Sequence, residues 1–176
     1  MNSIIKKNGI NFGLIMGIFS ILVTTLIYAI DISLFVNPMI GISSIVIYLI
    51  LGIWVVSKTK KELNKSITFK EAFTVYFLAA AIGATLSVVF NIILFNYIDP
   101  AAKDTIRQLT IDYTVDMLRK FSTPTATIKE TVEKLKESDN YSIVSQLKGL
   151  VFSLVFSAIF GAILALIFKN RTNTLE

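Results

Sequence analysis

The side chains that most often carry out catalysis are scarce in this sequence. Its 176 residues include no histidine and no cysteine, which excludes thiolate metal sites, disulfides and every mechanism that needs an imidazole base. Asp99, Asp104 and Asp112 are the carboxylates placed to approach a lipid headgroup, but their spacing matches no metal-ligand set. Neither Glu71 nor Asp99 has a visible partner acid or base. We therefore expect no enzyme activity, no bound metal and no cofactor.

Four long apolar segments dominate the chain. Hydrophobic residues make up 54% of the sequence and charged residues 16%, with a mean hydropathy of +0.70, which argues against a soluble domain. A bilayer core needs roughly 20 apolar residues in a helix, because hydrocarbon offers no partner to an unpaired backbone group. Four segments meet this requirement, at residues 9–30, 38–56, 72–98 and 147–168. A cleaved signal peptide is the alternative for the first, but its apolar run is too long.

The basic residues are unevenly distributed between the two sides of the predicted bilayer. One side has nine lysines and arginines against three acidic residues, and the other has eight against nine. Short loops rich in Lys and Arg stay in the cytoplasm, so both termini are predicted to be cytoplasmic. This basic character is a topology signal rather than a nucleic-acid footprint, although a basic loop also attracts anionic headgroups. The nine residues are Lys6, Lys7, Lys58, Lys60, Lys61, Lys65, Lys70, Lys169 and Arg171.

Small side chains recur every four residues along three of the predicted spans. Such strips let membrane helices approach closely, and close packing drives their association because lipid tails are as apolar as leucine. We interpret the strips as packing faces within a four-helix bundle. A docking face for another protein or another copy of the chain is the alternative. The strips are Gly9, Gly13 and Gly17; Ala79, Gly83 and Ser87; and Gly149, Ser153, Ser157, Gly161 and Ala165.

The third span contains one polar candidate and is bounded by two capping motifs. An uncharged Asn in a span, such as Asn91, more often makes an interhelical hydrogen bond than binds a substrate. Thr68 and Glu71 have the spacing of a capping box at the start of this span. At its end, Asp99 suits an N-cap and Pro100 the first turn of a further helix. Both motifs are explained by structure alone.

Several of these motifs together resemble a known family. They are the ITFKEAF start and FNYIDP end of the third span, the amphipathic segment that follows, and the final small-residue helix ending in IFKN. They are similar to a family of four-span bacterial inner-membrane proteins classified only as a domain of unknown function, over essentially the whole chain. The resemblance implies a four-helix layout in the inner membrane of Gram-negative cells. It implies no established activity, cofactor or catalytic residue.

The segment 99–141 is the only sizeable polar region. Its apolar residues recur at helical spacing in two groups, separated at Ser122 to Pro124, where Thr123 is predicted to cap and Pro124 to begin a second helix. We therefore predict a hairpin of two amphipathic helices outside the membrane, on the side opposite the termini. Its apolar face packs either within the hairpin and against the bundle, or against a periplasmic or membrane partner. The two groups are Ile106, Leu109, Tyr113, Met117 and Phe121, then Ile128, Val132 and Leu135.

These observations predict an all-α integral membrane protein with a four-helix bundle and an extracytoplasmic helical insert. Because catalytic groups are absent and an ordered insert is present, the leading hypothesis is a non-enzymatic accessory or scaffold subunit. It would engage protein partners, or copies of itself, through its small-residue faces or its insert. The alternative is a small transporter or lipid-handling protein, which a polar cavity within the bundle would favour.

Overall fold

The computed structural model describes residues 1–170 and is helical throughout, with no β-strand in that range. A 3-10 segment, Ile32–Val36, joins the first two helices, and a π-helical segment, Leu94–Ile98, continues the third. The predicted all-α fold class is therefore confirmed. The six helices are α1 (Ser3–Ile30), α2 (Pro38–Glu62), α3 (Phe69–Ile93), α4 (Ala102–Lys120), α5 (Thr125–Glu137) and α6 (Ile143–Phe168).

Four of the helices are long and apolar enough to cross a membrane: α1, α2, α6, and α3 together with its π-helical continuation. Helices α1, α2 and α3 extend beyond the predicted apolar segments at the end of the bundle that holds the α2–α3 connection, whereas α6 extends at the opposite end, where it begins at Ile143. At the first of these ends, α1 already begins at Ser3, because the Asn2 side chain caps the Ile4 amide at 2.9 Å. At the same end, α2 continues to Glu62 through a run of lysines. Lysine stems can lie along apolar surface while their charges reach water, which allows both extensions.

Helix α3 is the centre of the bundle and contacts α1, α2 and α6. Helices α1 and α3 run parallel, since Gly9 faces Leu78 while Gly17, two turns later, faces Leu86. The start of α1, the α2–α3 connection and the end of α6 therefore lie together, and we call this the basic end. The opposite end, which holds α4 and α5, is the insert end.

The main core lies near the basic end. In α2 the buried residues all belong to the second half of the helix, from Gly52 onward, and in α6 they begin at Gly161. Val55 and Val75 are fully buried there between neighbouring helices. Toward the insert end, the faces of α2 and α6 are at least partly exposed. The two helices thus pack together at one end of the bundle and separate toward the other.

The insert end has a second, smaller core. The π-helical segment supplies Leu94 and Phe95, and α4 supplies Ala102 and Ile106. Helix α4 contacts the 3-10 segment and α5. No residue of α5 is fully buried. The insert is therefore attached to the bundle through the first turns of α4.

The structure corrects two predicted helix starts. Thr123 does not cap α5, because its amide donates to the Leu118 carbonyl at 3.0 Å and closes the end of α4, next to Ser122 with a φ of 55°. Pro124 then occupies the N-cap position without a side-chain hydrogen bond.

Similarly, Pro100 does not lie in the first turn of α4, where the sequence predicted it. It lies in a turn before the helix, and the Asp99 carboxylate accepts from the Ala102 amide at 3.2 Å. In both cases the chain first completes a turn that the spacing of capping residues does not reveal.

Candidate functional site

A crevice of about 340 Å³ lies where α2 and α6 separate. Its walls come from α1, α2, α3 and α6, and it runs from Tyr76 toward Gly149 near the insert end. Small residues, including Gly83 and Ala84, form much of the wall on α3. Because neither α2 nor α6 has a fully buried residue in its insert-end half, the crevice is open to the surface of the bundle between them.

Hydroxyl groups are the only polar side-chain groups that line the crevice, and no charged side chain does. Four of the hydroxyls are engaged within the bundle, including that of Ser153, which donates to the Leu150 carbonyl at 2.8 Å. The Ser20 and Ser87 oxygens are 2.7 Å apart, which joins α1 to α3. The Tyr48 hydroxyl donates to the Met16 carbonyl at 3.4 Å. The six hydroxyl-bearing residues are Ser20, Tyr48, Tyr76, Ser87, Ser153 and Ser157.

Tyr76 closes the crevice toward the basic end. Its ring lies between two glycines, and a Cβ atom at Gly52 or Gly161 would come within 2.6 or 2.7 Å of ring carbons. The ring is therefore clamped between α2 and α6 at the point where they meet. Within residues 1–170 the hydroxyls of Tyr76 and Ser157 make no hydrogen bond, and neither oxygen is fully enclosed. Both hydroxyls are thus available to a bound molecule.

A set of polar contacts attaches the insert to the bundle. The Asn96 amide donates to the Tyr141 carbonyl at 2.9 Å. Lys103 lies 3.3 Å from both the Asn96 oxygen and the Asp139 carboxylate. Burial raises the pKa of Tyr141, whose ring lies 4.5 Å from that of Phe95. These contacts connect the end of α3 to the start of α4 and to the α5–α6 connection.

The chain matches one described family, a protein of unknown function (DUF4199), over residues 11–170. The chain belongs to this family. No curated protein and no solved structure matches it. The DUF4199 match confirms the resemblance to a family of unknown function, and with the four apolar helices it makes the chain an integral membrane protein.

In this DUF4199 protein the predicted small-residue strips serve two different purposes. Gly9, Gly13 and Gly17 all face side chains of α3, and Ala79 and Gly83 lie buried on α3. On α6, Gly161 and Ala165 are buried in the core, whereas Gly149, Ser153 and Ser157 line the crevice. A Cβ atom at Gly149 would meet nothing within 4 Å. One continuous strip on α6 is therefore divided between packing and an open surface.

Two predicted polar motifs lie away from the crevice. Asn91 is half-buried and does not line it. The capping box forms at the start of α3, where the Thr68 amide donates to the Glu71 carboxylate at 2.9 Å and the Glu71 amide donates to the Thr68 hydroxyl at 3.3 Å. These contacts give Glu71 a structural role at the basic end.

One deeply buried polar side chain, Asn8, was missed by sequence reasoning. It is 2% exposed, and its amide nitrogen donates to the Thr59 hydroxyl at 3.1 Å and to the Glu62 carboxylate at 2.8 Å. Asn8 lies just before the predicted first span, so it was not considered an intramembrane residue. The available signal was its spacing of four from Phe12 and of eight from Met16, which places the three residues on one buried face of α1.

Proposed function

We propose that this DUF4199 protein is a lipid-handling membrane protein that binds an uncharged lipid, or the uncharged portion of a lipid, in the crevice. The observation that carries the proposal is a hydroxyl-lined space within the bundle that is open to the surface of the bundle between α2 and α6. Apolar chains contact its glycine, alanine and methionine surface. Ester, carbonyl or hydroxyl oxygens of the lipid accept hydrogen bonds from Tyr76 and Ser157.

The size of the crevice favours a lipid over a transmembrane helix of a partner. A volume of about 340 Å³ lies at the lower end of the range of small-molecule sites, about 300–1,000 Å³. A helix with its side chains is about 10–12 Å across and needs far more room. The open strip on α6 runs from Gly149 to Ser157, and eight residues of helix correspond to about 12 Å. That length suits part of one extended lipid chain.

The polarity of the crevice restricts the ligand further. A charged group at membrane depth needs a counter-charge or water, and no Lys, Arg, Asp or Glu lines the crevice. Hydroxyls provide hydrogen bonds without a fixed charge. The bound portion is therefore expected to be uncharged but to contain oxygen atoms, and any charged headgroup would remain at the insert-end surface.

Blocking the crevice is expected to weaken lipid binding without unfolding the protein. An added Cβ at Gly149 meets nothing within 4 Å, and Gly149 lines the crevice, so we expect the leucine of G149L to occupy the crevice without a clash. We expect about tenfold less cross-linking to a photoactivatable diacylglycerol in nanodiscs, which corresponds to about 1.4 kcal/mol of binding free energy. G41L is the matched control, because a Cβ at Gly41 also meets nothing within 4 Å and Gly41 does not line the crevice. Equal cross-linking of both variants and the wild type would refute the proposal.

An accessory role is a second candidate, supported by exposed apolar side chains on α4 and at its C-cap, Phe121. Tyr113, Met117 and Phe121 are 41%, 39% and 77% exposed. We propose that they contact a membrane or periplasmic protein, in a bacterial inner membrane with both termini in the cytoplasm. The nine basic residues near the termini and around the α2–α3 connection support this orientation.

One labelling experiment tests the orientation and the accessory role together. The chain has no cysteine, so S122C and M117C each introduce a single thiol. A membrane-impermeant maleimide is expected to label S122C in intact spheroplasts, because the insert lies outside the cytoplasm. Labelling of M117C is expected to be slower in spheroplasts than in purified protein, because a partner covers it. No labelling of S122C would refute the orientation, and equal rates for M117C would refute the partner.

A further inference from the structure

The acidic residues at the basic end are occupied by hydrogen bonds rather than by lysines. Glu62 accepts from Asn8, and Glu71 accepts from the amide and hydroxyl of Thr68 at 2.9 Å each. All the salt bridges found within residues 1–170 lie in the insert and the connection that follows it. The lysines of the basic end, as far as the structure describes it, therefore have no carboxylate partner.

One face of α2 arranges these lysines beside an aromatic residue. Ile50, Trp54, Lys58 and Lys61 follow one another at spacings of three and four residues, which places them on one side of the helix. Ile50 and Trp54 are 58% and 55% exposed, and both lysines are exposed as well. This α2 face thus changes from apolar to aromatic to basic as it approaches the end of the bundle.

Helix α1 holds the aromatic part of this face in place. The Phe12 ring is 2% exposed and meets the Trp54 ring edge to face, with 5.1 Å between centroids. The Lys58 ammonium lies 5.6 Å from the Phe12 centroid, a cation–π distance. Phe12 therefore holds the indole and one ammonium group close together. Trp at a membrane interface sits at headgroup depth.

We propose that the α2 face binds an anionic phospholipid of the leaflet at the basic end. The lipid phosphate pairs with Lys58 and Lys61, the Trp54 indole lies at the level of the glycerol esters, and an acyl chain follows Ile50. This order of contacts matches the order of groups along a phospholipid. The site is separate from the crevice, which opens toward the opposite leaflet. Evidence against lipid binding at one of the two sites would therefore not count against the other.

Neutralising the two lysines is expected to reduce the affinity for an anionic lipid selectively. Each lysine near an anionic membrane contributes about a fivefold factor in binding, so K58Q/K61Q should bind phosphatidylglycerol about 25-fold more weakly. Binding is measured by native mass spectrometry of the full-length protein with phosphatidylglycerol or phosphatidylcholine added to the detergent. The matched control, K129Q/K136Q, removes the same charge from exposed positions of α5.

Further variants and ligands separate the specific site from general attraction. W54F keeps a ring against Phe12 but loses the indole N–H, and we expect it to fold normally and to bind phosphatidylglycerol several-fold more weakly. Inorganic phosphate at millimolar concentration is expected not to compete. An equal loss in K129Q/K136Q, an equal affinity for phosphatidylcholine, or full competition by phosphate would each overturn the proposal.

Discussion

Replacing Gly13 by leucine is expected to prevent the bundle from assembling. Gly13 faces α3 so closely that an added Cβ would lie 2.7 Å from the Ile82 Cβ and 3.0 Å from the Ala79 carbonyl oxygen. The Ala79 oxygen belongs to helix backbone and cannot rotate away, so α1 itself would have to move. Overpacking a core costs about 1–3 kcal/mol per added group when side chains can adjust. The free-energy cost of a leucine that meets backbone atoms should exceed that range.

The expected loss of assembly is detected as a lower yield of monodisperse protein and a lower midpoint of thermal unfolding in detergent. G41L is the control, because it introduces the same leucine at a helical glycine that has open space around it. G13A should lie between the wild type and G13L, since a single methyl group needs a smaller shift of α1. A G13L protein as stable as G41L would show that α1 and α3 are not packed through this strip.

Much of this interface could be predicted from the sequence. The four apolar segments follow from the length that a bilayer requires, and a spacing of four places Gly9, Gly13 and Gly17 on one helix face. The sequence does not identify the opposing face. That Gly13 meets α3 rather than α2 depends on the parallel arrangement of α1 and α3, which only the assembled bundle defines.

The crevice could not be predicted in the same way. Ser157 and Gly161 belong to one strip with one spacing, yet Ser157 lines an open space and Gly161 is buried against Tyr76. The difference arises because α2 separates from α6 toward the insert end. The separation of two helices depends on contacts between residues far apart in the sequence, so it cannot be predicted from the residue spacing within either helix.

Helix ends near turns were predicted less well than helix interiors. Asp99 and Thr123 both have side chains typical of N-caps, and the sequence placed helix starts directly after them. In the structure the chain completes a turn at each site before α4 or α5 begins. At Thr123 the deciding contact is the backbone hydrogen bond to Leu118. Such a bond depends on how the preceding helix ends, not on the identity of the capping residue.

Replacing Phe95 by alanine is expected to release the insert from the bundle. Phe95 is fully buried in the π-helical segment, with ring centroids 5.6 Å from Phe35 and 4.5 Å from Tyr141. These three rings join α3 to the 3-10 segment and to the α5–α6 connection. Truncating a buried Phe costs about 3–5 kcal/mol. The polar contacts of Asn96 and Lys103 are adjacent and partly exposed, so they cannot compensate for a loss of that size.

The release is measured by limited trypsin digestion, because the insert is rich in lysine and its opening controls access to the protease. Proteolysis that follows the open population should accelerate more than about 100-fold for a loss of about 3 kcal/mol. F121A is the matched control, since the Phe121 ring at the C-cap of α4 is 77% exposed. Equal digestion of F95A and F121A would mean that the polar contacts alone hold the insert. Faster digestion of F95A, with the four spans still protected, would show that the insert opens as a unit while the bundle remains folded.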